Sequence, residues 1–98
     1  MAKYELTPKA TEDLYEIWAY TVDTWSEEQA DRYYCKLITS FLTIANHPES
    51  KGKSYDLIRK GTRGLHVGRH VVFYIKRHPN KVLIVRILHE KMDYKRHL

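Results

Sequence analysis

Residues 82–88, VLIVRIL, constrain this chain more than any other stretch. Val82, Ile84, Val85 and Ile87 are β-branched, and with Leu83 and Leu88 they form the strongest apolar run in the sequence. A run of this length and composition reads as a strand buried on both faces. One charge interrupts it. Arg86 must reach the sheet edge or an open face, or pair with an acid such as Asp93 or one from a helix, because an isolated buried charge is too costly to keep. After Leu88 the chain turns polar, with His89, Glu90, Lys91, Asp93, Lys95, Arg96 and His97 close together. The simplest reading is a central strand that delivers a charged tail to one edge of a sheet.

Upstream of this strand the hydrophobic period changes once. Tyr4 and Leu6 alternate with Lys3 and Glu5, which predicts a brief half-buried strand over Ala2 to Leu6. Thr7 and Pro8 then supply an N-cap and a first helical residue. Leu14, Ile17, Trp18, Thr21, Val22 and Trp25 recur at steps of three and four, so a helix is expected from Pro8 to about Thr24. Ser26 and Gln29 stand in the relation of a capping box. Behind them Ala30, Tyr34, Leu37, Phe41 and Ile44, widened by Ile38, Leu42 and Ala45, predict a second helix ending near Asn46, before His47-Pro48. So short a connection makes the two helices an antiparallel hairpin. Its aromatics (Tyr15, Trp18, Trp25, Tyr33, Tyr34, Phe41) are expected in the core or the hairpin seam.

Residues 48–61 read as an irregular loop marked by Gly52 and Gly61, with Tyr55, Leu57 and Ile58 as its anchor. From Thr62 the period is two: Leu65 and Val67, then Val71, Phe73 and Ile75. His78-Pro79-Asn80 is a hairpin connection back into residues 82–88. The expected architecture is α+β, in the order β-α-α-β-β-β. The helical hairpin covers one face of a small, mainly antiparallel sheet, the first strand lies at an edge or beside the last strand, and a short tail follows. All 98 residues are expected to form one domain.

Charge narrows the function. The chain carries +5 overall, unevenly. Residues 1–50 hold four basic against nine acidic residues, a net of −5, and residues 51–98 hold thirteen against three, a net of +10. A basic face for an acidic partner follows. No apolar run approaches the roughly 18 residues of a membrane span. MAKYELTPK shows no apolar stretch of the secretory kind, and Cys35 is the single cysteine. Together these lead to a cytoplasmic expectation with no membrane partner.

The search for chemistry finds residue types without an arrangement. A nucleophile elbow and an H-E-x-x-H pair are absent. Gly52-Lys53-Ser54 lacks the spacing of a phosphate-binding loop. His89 and Asp93, four apart, would share a face of a helical turn and could bond to each other, which suits pinning the C-terminal segment. A metal site there would need His97 as a third ligand and is not expected; no cofactor is expected either. Metal-free RNA cleavage needs a base, a cation for the phosphorane and an acid. Arg63, Arg69, Arg86, His66, His70, His89 and Tyr94 offer these types.

Ala10, Asp13, Leu14 and Ile17 in the first helix, W-S-E-E-Q-A at Trp25–Ala30, P-E-S-K-G-K at Pro48–Lys53, R-G-L-H-V-G-R-H-V-V-F-Y at Arg63–Tyr74 and R-I-L-H-E-K-M-D at Arg86–Asp93 together resemble the ParE branch of the RelE/ParE toxin superfamily. The resemblance covers nearly the whole chain, and the I-L-H-x-x-M-D ending is its most specific part. It implies the toxin of a bacterial type II toxin–antitoxin module, a protein inhibitor of DNA gyrase rather than an enzyme. It implies neutralisation in a hetero-oligomer with a ParD-like antitoxin whose acidic C-terminal segment wraps the toxin, and no direct nucleic-acid binding without that antitoxin. RelE-like relatives cleave mRNA on the ribosome. On that alternative Arg63, Arg69, Arg86, His89 and Tyr94 are the catalytic candidates, although Val71, Val72, Phe73 and Tyr74 stand where a nuclease would set an arginine. For the gyrase contact the charged tail offers His89, Lys91, Asp93, Tyr94, Lys95 and Arg96. For the antitoxin, Leu14, Ile17, Trp18 and Tyr33 would be apolar anchors and Arg63, Arg69 and Arg86 the cations. Deletion of Tyr94–Leu98 is expected to spare folding and abolish toxicity.

Overall fold

The computed structural model describes residues 3–78 and 80–98, with the His78 side chain also left out. Pro79, in the expected hairpin connection, and Ala2, at the expected start of the first strand, lie outside the described residues. The elements are β1 (Lys3–Leu6), α1 (Pro8–Thr24), α2 (Glu27–Asn46), β2 (Lys53–Ser54), β3 (Thr62–Val67), β4 (His70–His78) and β5 (Lys81–His89), followed by a 3-10 turn at Tyr94–Arg96. The sheet order is β1-β5-β4-β3-β2. β1 runs parallel to β5, and the other pairings are antiparallel.

Both helices start where the sequence places them. Thr7 Oγ1 accepts the Ala10 N–H at 3.0 Å and Pro8 occupies the first turn. Ser26 Oγ accepts the Gln29 N–H at 3.1 Å. α2 ends at Asn46, and the His47 N–H closes on the Thr43 and Ile44 carbonyls.

The helical hairpin packs on one face of the sheet. Leu14, Leu37, Phe41 and Ile44 meet Val72, Tyr74, Val82, Ile84 and Ile87 there. The other face is closed differently. Val71, Phe73, Val85 and Leu88 are covered by Tyr55 from the β2–β3 loop and by Tyr94 and Leu98 from the tail. Tyr55, Phe73 and Tyr94 form an edge-to-face cluster with centroids 5.0–5.9 Å apart.

Several expectations are corrected. The stretch from 48 to 61 is not wholly irregular: Lys53 and Ser54 pair with Gly64 and Arg63 as a fifth strand. β5 is an interior strand, but β4 is the middle one. Tyr15 (67% exposed), Trp25 (68%) and Tyr34 are on the surface, because the helices bury narrower stripes than their aromatic content allows; in α2 it is Tyr33, not Tyr34, that packs against the core. Leu42 and Leu57 are also exposed. His89 and Asp93 do not bond. His89 Nδ1 accepts the Lys91 N–H at 3.2 Å, and Asp93 caps the 3-10 turn through Lys95 N–H at 3.2 Å. The tail is therefore not a free charged end. Its Tyr94 and Leu98 pack against the second core, so deletion of Tyr94–Leu98 is now expected to uncover Phe73 rather than to spare the fold.

Arg86 shows how α1 is fastened to β5. β1 pairs only with Lys81 to Ile84, which leaves the next residues of β5 with an open edge. The start of α1 takes over that edge. Thr7 N–H donates to Ile84 O at 3.0 Å, Thr7 Oγ1 donates to Val85 O at 2.8 Å, and Asp13 Oδ2 accepts the Ile87 N–H at 3.0 Å. Arg86 Nε and Nη2 complete a two-pronged pair with the same carboxylate at 2.8 and 3.0 Å. The acid it needs is thus helical Asp13, not Asp93. The ladder slips beside this point, between Phe73 and Tyr74.

Candidate functional site

A groove of about 1270 Å³ lies between α1, the start of α2, the β3–β4 turn and the end of β5. Its apolar lining comes from Ile17, Tyr20, Trp25 and Met92. Tyr20 and Trp25 are each 68% exposed, although large aromatics ordinarily find cover in a domain with room for them. Arg32, Lys36 and Arg69 line the same groove. The Asp13–Arg86 pair also lines it, with the two side chains only 10% and 18% exposed, and the Asp13 hydrogen bond lifts Arg86 further above the usual guanidinium value.

Tyr33 and His70 form one wall. Tyr33 Oη lies 3.1 Å from the Val67 carbonyl oxygen, 3.1 Å from the Arg69 amide nitrogen and 2.7 Å from His70 Nδ1. Burial lifts the Tyr33 phenol above its ordinary value, so it keeps its proton. Burial, reinforced by neighbouring His89, pushes His70 down to about 4, so it is neutral near pH 7. The two imidazoles meet edge to face with centroids 5.4 Å apart.

A second, shallower pocket of about 770 Å³ lies among Lys53, Tyr55, His66, Glu90, Lys91 and Tyr94. His66 Nε2 and Glu90 Oε1 are 2.8 Å apart, and Tyr94 Oη donates to Glu90 O at 2.9 Å. Burial raises the Tyr94 phenol above its ordinary value.

The structure sorts the residues singled out in the sequence. Leu14 is buried in the core and presents no surface to a partner. Ile17, Tyr33, Arg69 and Arg86 line the groove. Trp18 is half-buried, and its Nε1–H donates to Asp31 Oδ1 at 2.9 Å, joining the two helices. Arg63 lies apart, with Nη2 on the Lys51 and Gly52 carbonyls at 3.3 and 3.1 Å. In the tail His89 lines the groove, Tyr94 faces the second pocket, and Lys91, Asp93, Lys95 and Arg96 are exposed. The five nuclease candidates are not brought together: Arg69, Arg86 and His89 line the groove, Arg63 belongs to the β2–β3 pair and Tyr94 to the second pocket. Tyr20, Met92, Arg32 and Lys36 escaped the sequence reading as groove residues. Only Tyr20 carried a signal, that of surplus: α1 holds more aromatics than one buried stripe can use. Among the described residues no group of three or more His, Cys, Asp or Glu could hold a metal ion, and no helix is long and apolar enough to cross a membrane.

Comparison with known proteins gives the family. Residues 4–94 match the family described as "ParE toxin of type II toxin-antitoxin system, parDE". The chain is 39% identical over 98 residues to Toxin ParE1 of Caulobacter vibrioides, covering 100% of this chain and 99% of the relative. It is 37% identical over 97 residues to Toxin ParE1 of Mycobacterium tuberculosis, covering 99% and 98%. It is 34% identical over 93 residues to Toxin ParE of Escherichia coli, covering 95% and 89%. A solved structure titled "Chromosomal ParDE TA system from P. aeruginosa" superposes with a TM-score of 0.76 over 91% of this chain and 95% of that one; at 19% identity it speaks for the fold alone. A match over nearly the whole chain, with relatives above one-third identity along their full lengths, makes this chain a member of the ParE family of type II toxin–antitoxin toxins.

Proposed function

We propose that the chain inhibits DNA gyrase, so blocking replication in the cytoplasm, and that a ParD-like antitoxin neutralises it by laying an acidic, amphipathic segment into the groove between α1, α2 and the β3–β4 turn. The observation that carries the antitoxin half is the groove itself. Tyr20, Trp25 and Met92 are exposed apolar groups beside the cations Arg32, Lys36 and Arg69. Such a surface suits a segment with apolar residues on one side and carboxylates on the other, and a segment that folds on binding can follow a groove of this length. Steering by the basic half of the chain would speed the encounter.

The gyrase half is supported by membership of the ParE family and by the exposed cations Lys91, Lys95 and Arg96, which leave the tail a charged outer surface while Tyr94 and Leu98 hold it down. The test adds purified protein to gyrase supercoiling and cleavage assays, with and without a ParD-like antitoxin. Inhibition relieved by that protein is expected; unaffected supercoiling with no stabilised cleavage complex refutes the reading. Ribosome-dependent mRNA cleavage has less support, because its five candidate residues are divided among three places.

A further inference from the structure

Arg69 sits at the tip of the β3–β4 turn, and its backbone is held on both sides. Its N–H donates to Tyr33 Oη at 3.1 Å, and its carbonyl accepts the Glu90 N–H at 2.9 Å. Gly68, just before it, has φ +60°, and a Cβ there would come within 2.7 Å of the Tyr33 ring. The ring therefore lies directly against the turn, in a space only glycine leaves open. A phenol has one proton and two lone pairs. With the proton given to the Val67 carbonyl, the lone pairs serve the Arg69 N–H and a proton on His70 Nδ1. One side chain on α2 thus ties Val67, Arg69 and His70 together across the turn.

The Arg69 side chain is exposed and lines the groove. The other groove cations differ from it. Arg86 is committed to Asp13, Arg32 lies 3.6 Å from Glu28, and Lys36 offers a point charge on a flexible stem. Among the described residues Arg69 makes no ion pair. A guanidinium on a fixed backbone loses less freedom on binding, and its fork matches a carboxylate with two parallel hydrogen bonds.

We propose that Arg69 is the carboxylate receptor of the groove, and that Tyr33 is its positioning residue: together they select an acidic side chain of the bound segment over its neutral amide. This rests on the antitoxin reading above and gives Tyr33 a role other than apolar anchor. Trp25 and Tyr20 then hold the segment, and Arg69 sets its register.

The probe is a full-length ParD-like antitoxin with an acidic C-terminal segment, titrated calorimetrically into the full-length toxin. Each acidic residue of its C-terminal segment is changed in turn to the amide. One such change is expected to weaken binding to the native toxin at least tenfold and to have no effect on Arg69→Ala, which removes only an exposed side chain. Arg69→Lys should restore part of the discrimination. Tyr33→Phe should lose most of it, with no further loss in the Arg69→Ala background, while Trp25→Ala remains additive with Arg69→Ala. A Tyr33 that only supports the fold would instead weaken binding of acid and amide forms alike and add to Arg69→Ala; that result overturns the positioning role. Should Tyr33→Phe fail to fold, the Arg69 variants still decide the receptor role. Binding in which no acidic position depends on Arg69 overturns the inference and leaves the docking reading standing. No binding to the native toxin removes both.

Discussion

Asp13 is the residue on which the fastening of α1 to β5 depends. Its carboxylate accepts three hydrogen bonds, from Arg86 Nε, Arg86 Nη2 and the Ile87 N–H, at 2.8 to 3.0 Å. Asp13→Ala removes all three and leaves a guanidinium with little solvent access and a β5 amide with no acceptor. Breaking a buried pair from one side costs about 3–5 kcal/mol. An orphaned buried amide adds about 1–3 kcal/mol. Arg86 keeps some contact with water, so the lower ends apply, about 4 kcal/mol in all. For a domain whose whole stability is about 5–15 kcal/mol, that is a large fraction. With a urea dependence of about 1.5 kcal/mol per molar, the unfolding midpoint should fall by about 2.7 M. Asp13→Asn keeps an oxygen for Ile87 and should cost about half as much. The informative variant is the double change Asp13→Leu with Arg86→Met. It buries no charge and should return to within about 1–2 kcal/mol of the native protein, the remainder being the Ile87 amide. Urea unfolding followed by circular dichroism measures all of these. A single variant costing under about 1 kcal/mol, or a double variant as unstable as the two singles combined, would show that the pair does not hold α1 in place.

Other expectations are shorter. The folded-state value of His70 lies below that of the unfolded chain, so the unfolded state takes up its proton first on acidification. Its contribution to stability is intact above pH 6.5 and is lost as pH falls towards about 4. His70→Asn should flatten that part of the urea midpoint against pH; an unchanged slope would count against the assignment. Thr7 both caps α1 and bonds the Val85 carbonyl, so Thr7→Ala should cost about 2 kcal/mol in urea unfolding, more than an N-cap alone. Truncation after Asp93 removes Tyr94 and Leu98 from the second face and should destabilise the protein by about 3 kcal/mol or more, with exposed Phe73 giving increased binding of an apolar dye. A truncated chain with native stability would mean that the tail does not close this face.

The local features came through the sequence with little loss. Thr7-Pro8, Ser26-x-x-Gln29 and His47-Pro48 bound the helices because capping and proline sterics act within a few residues. The alternation after Thr62 gave the meander for the same reason: the side-chain period of a strand does not depend on what it packs against. β2 was not legible, since a strand of two residues carries no period. Which of Tyr15, Tyr20, Trp25, Tyr33 and Tyr34 face inward was not legible either, because an aromatic at a helical step marks a possible stripe, and only the width of the sheet beneath decides how much of it is covered.

Sequence by itself determined the class of this protein: a helical hairpin, a basic meander and a closing I-L-H-x-x-M-D run that marks the ParE family. Tertiary structure alone decided the partners. It chose Asp13 for Arg86 across 73 positions, set Tyr33 under the β3–β4 turn, and laid Tyr94 and Leu98 over the second face. These pairings depend on how β5 runs past the end of β1 and on where α1 meets that open edge. Distances of that kind are fixed by packing the whole chain, and no local pattern of residues encodes them.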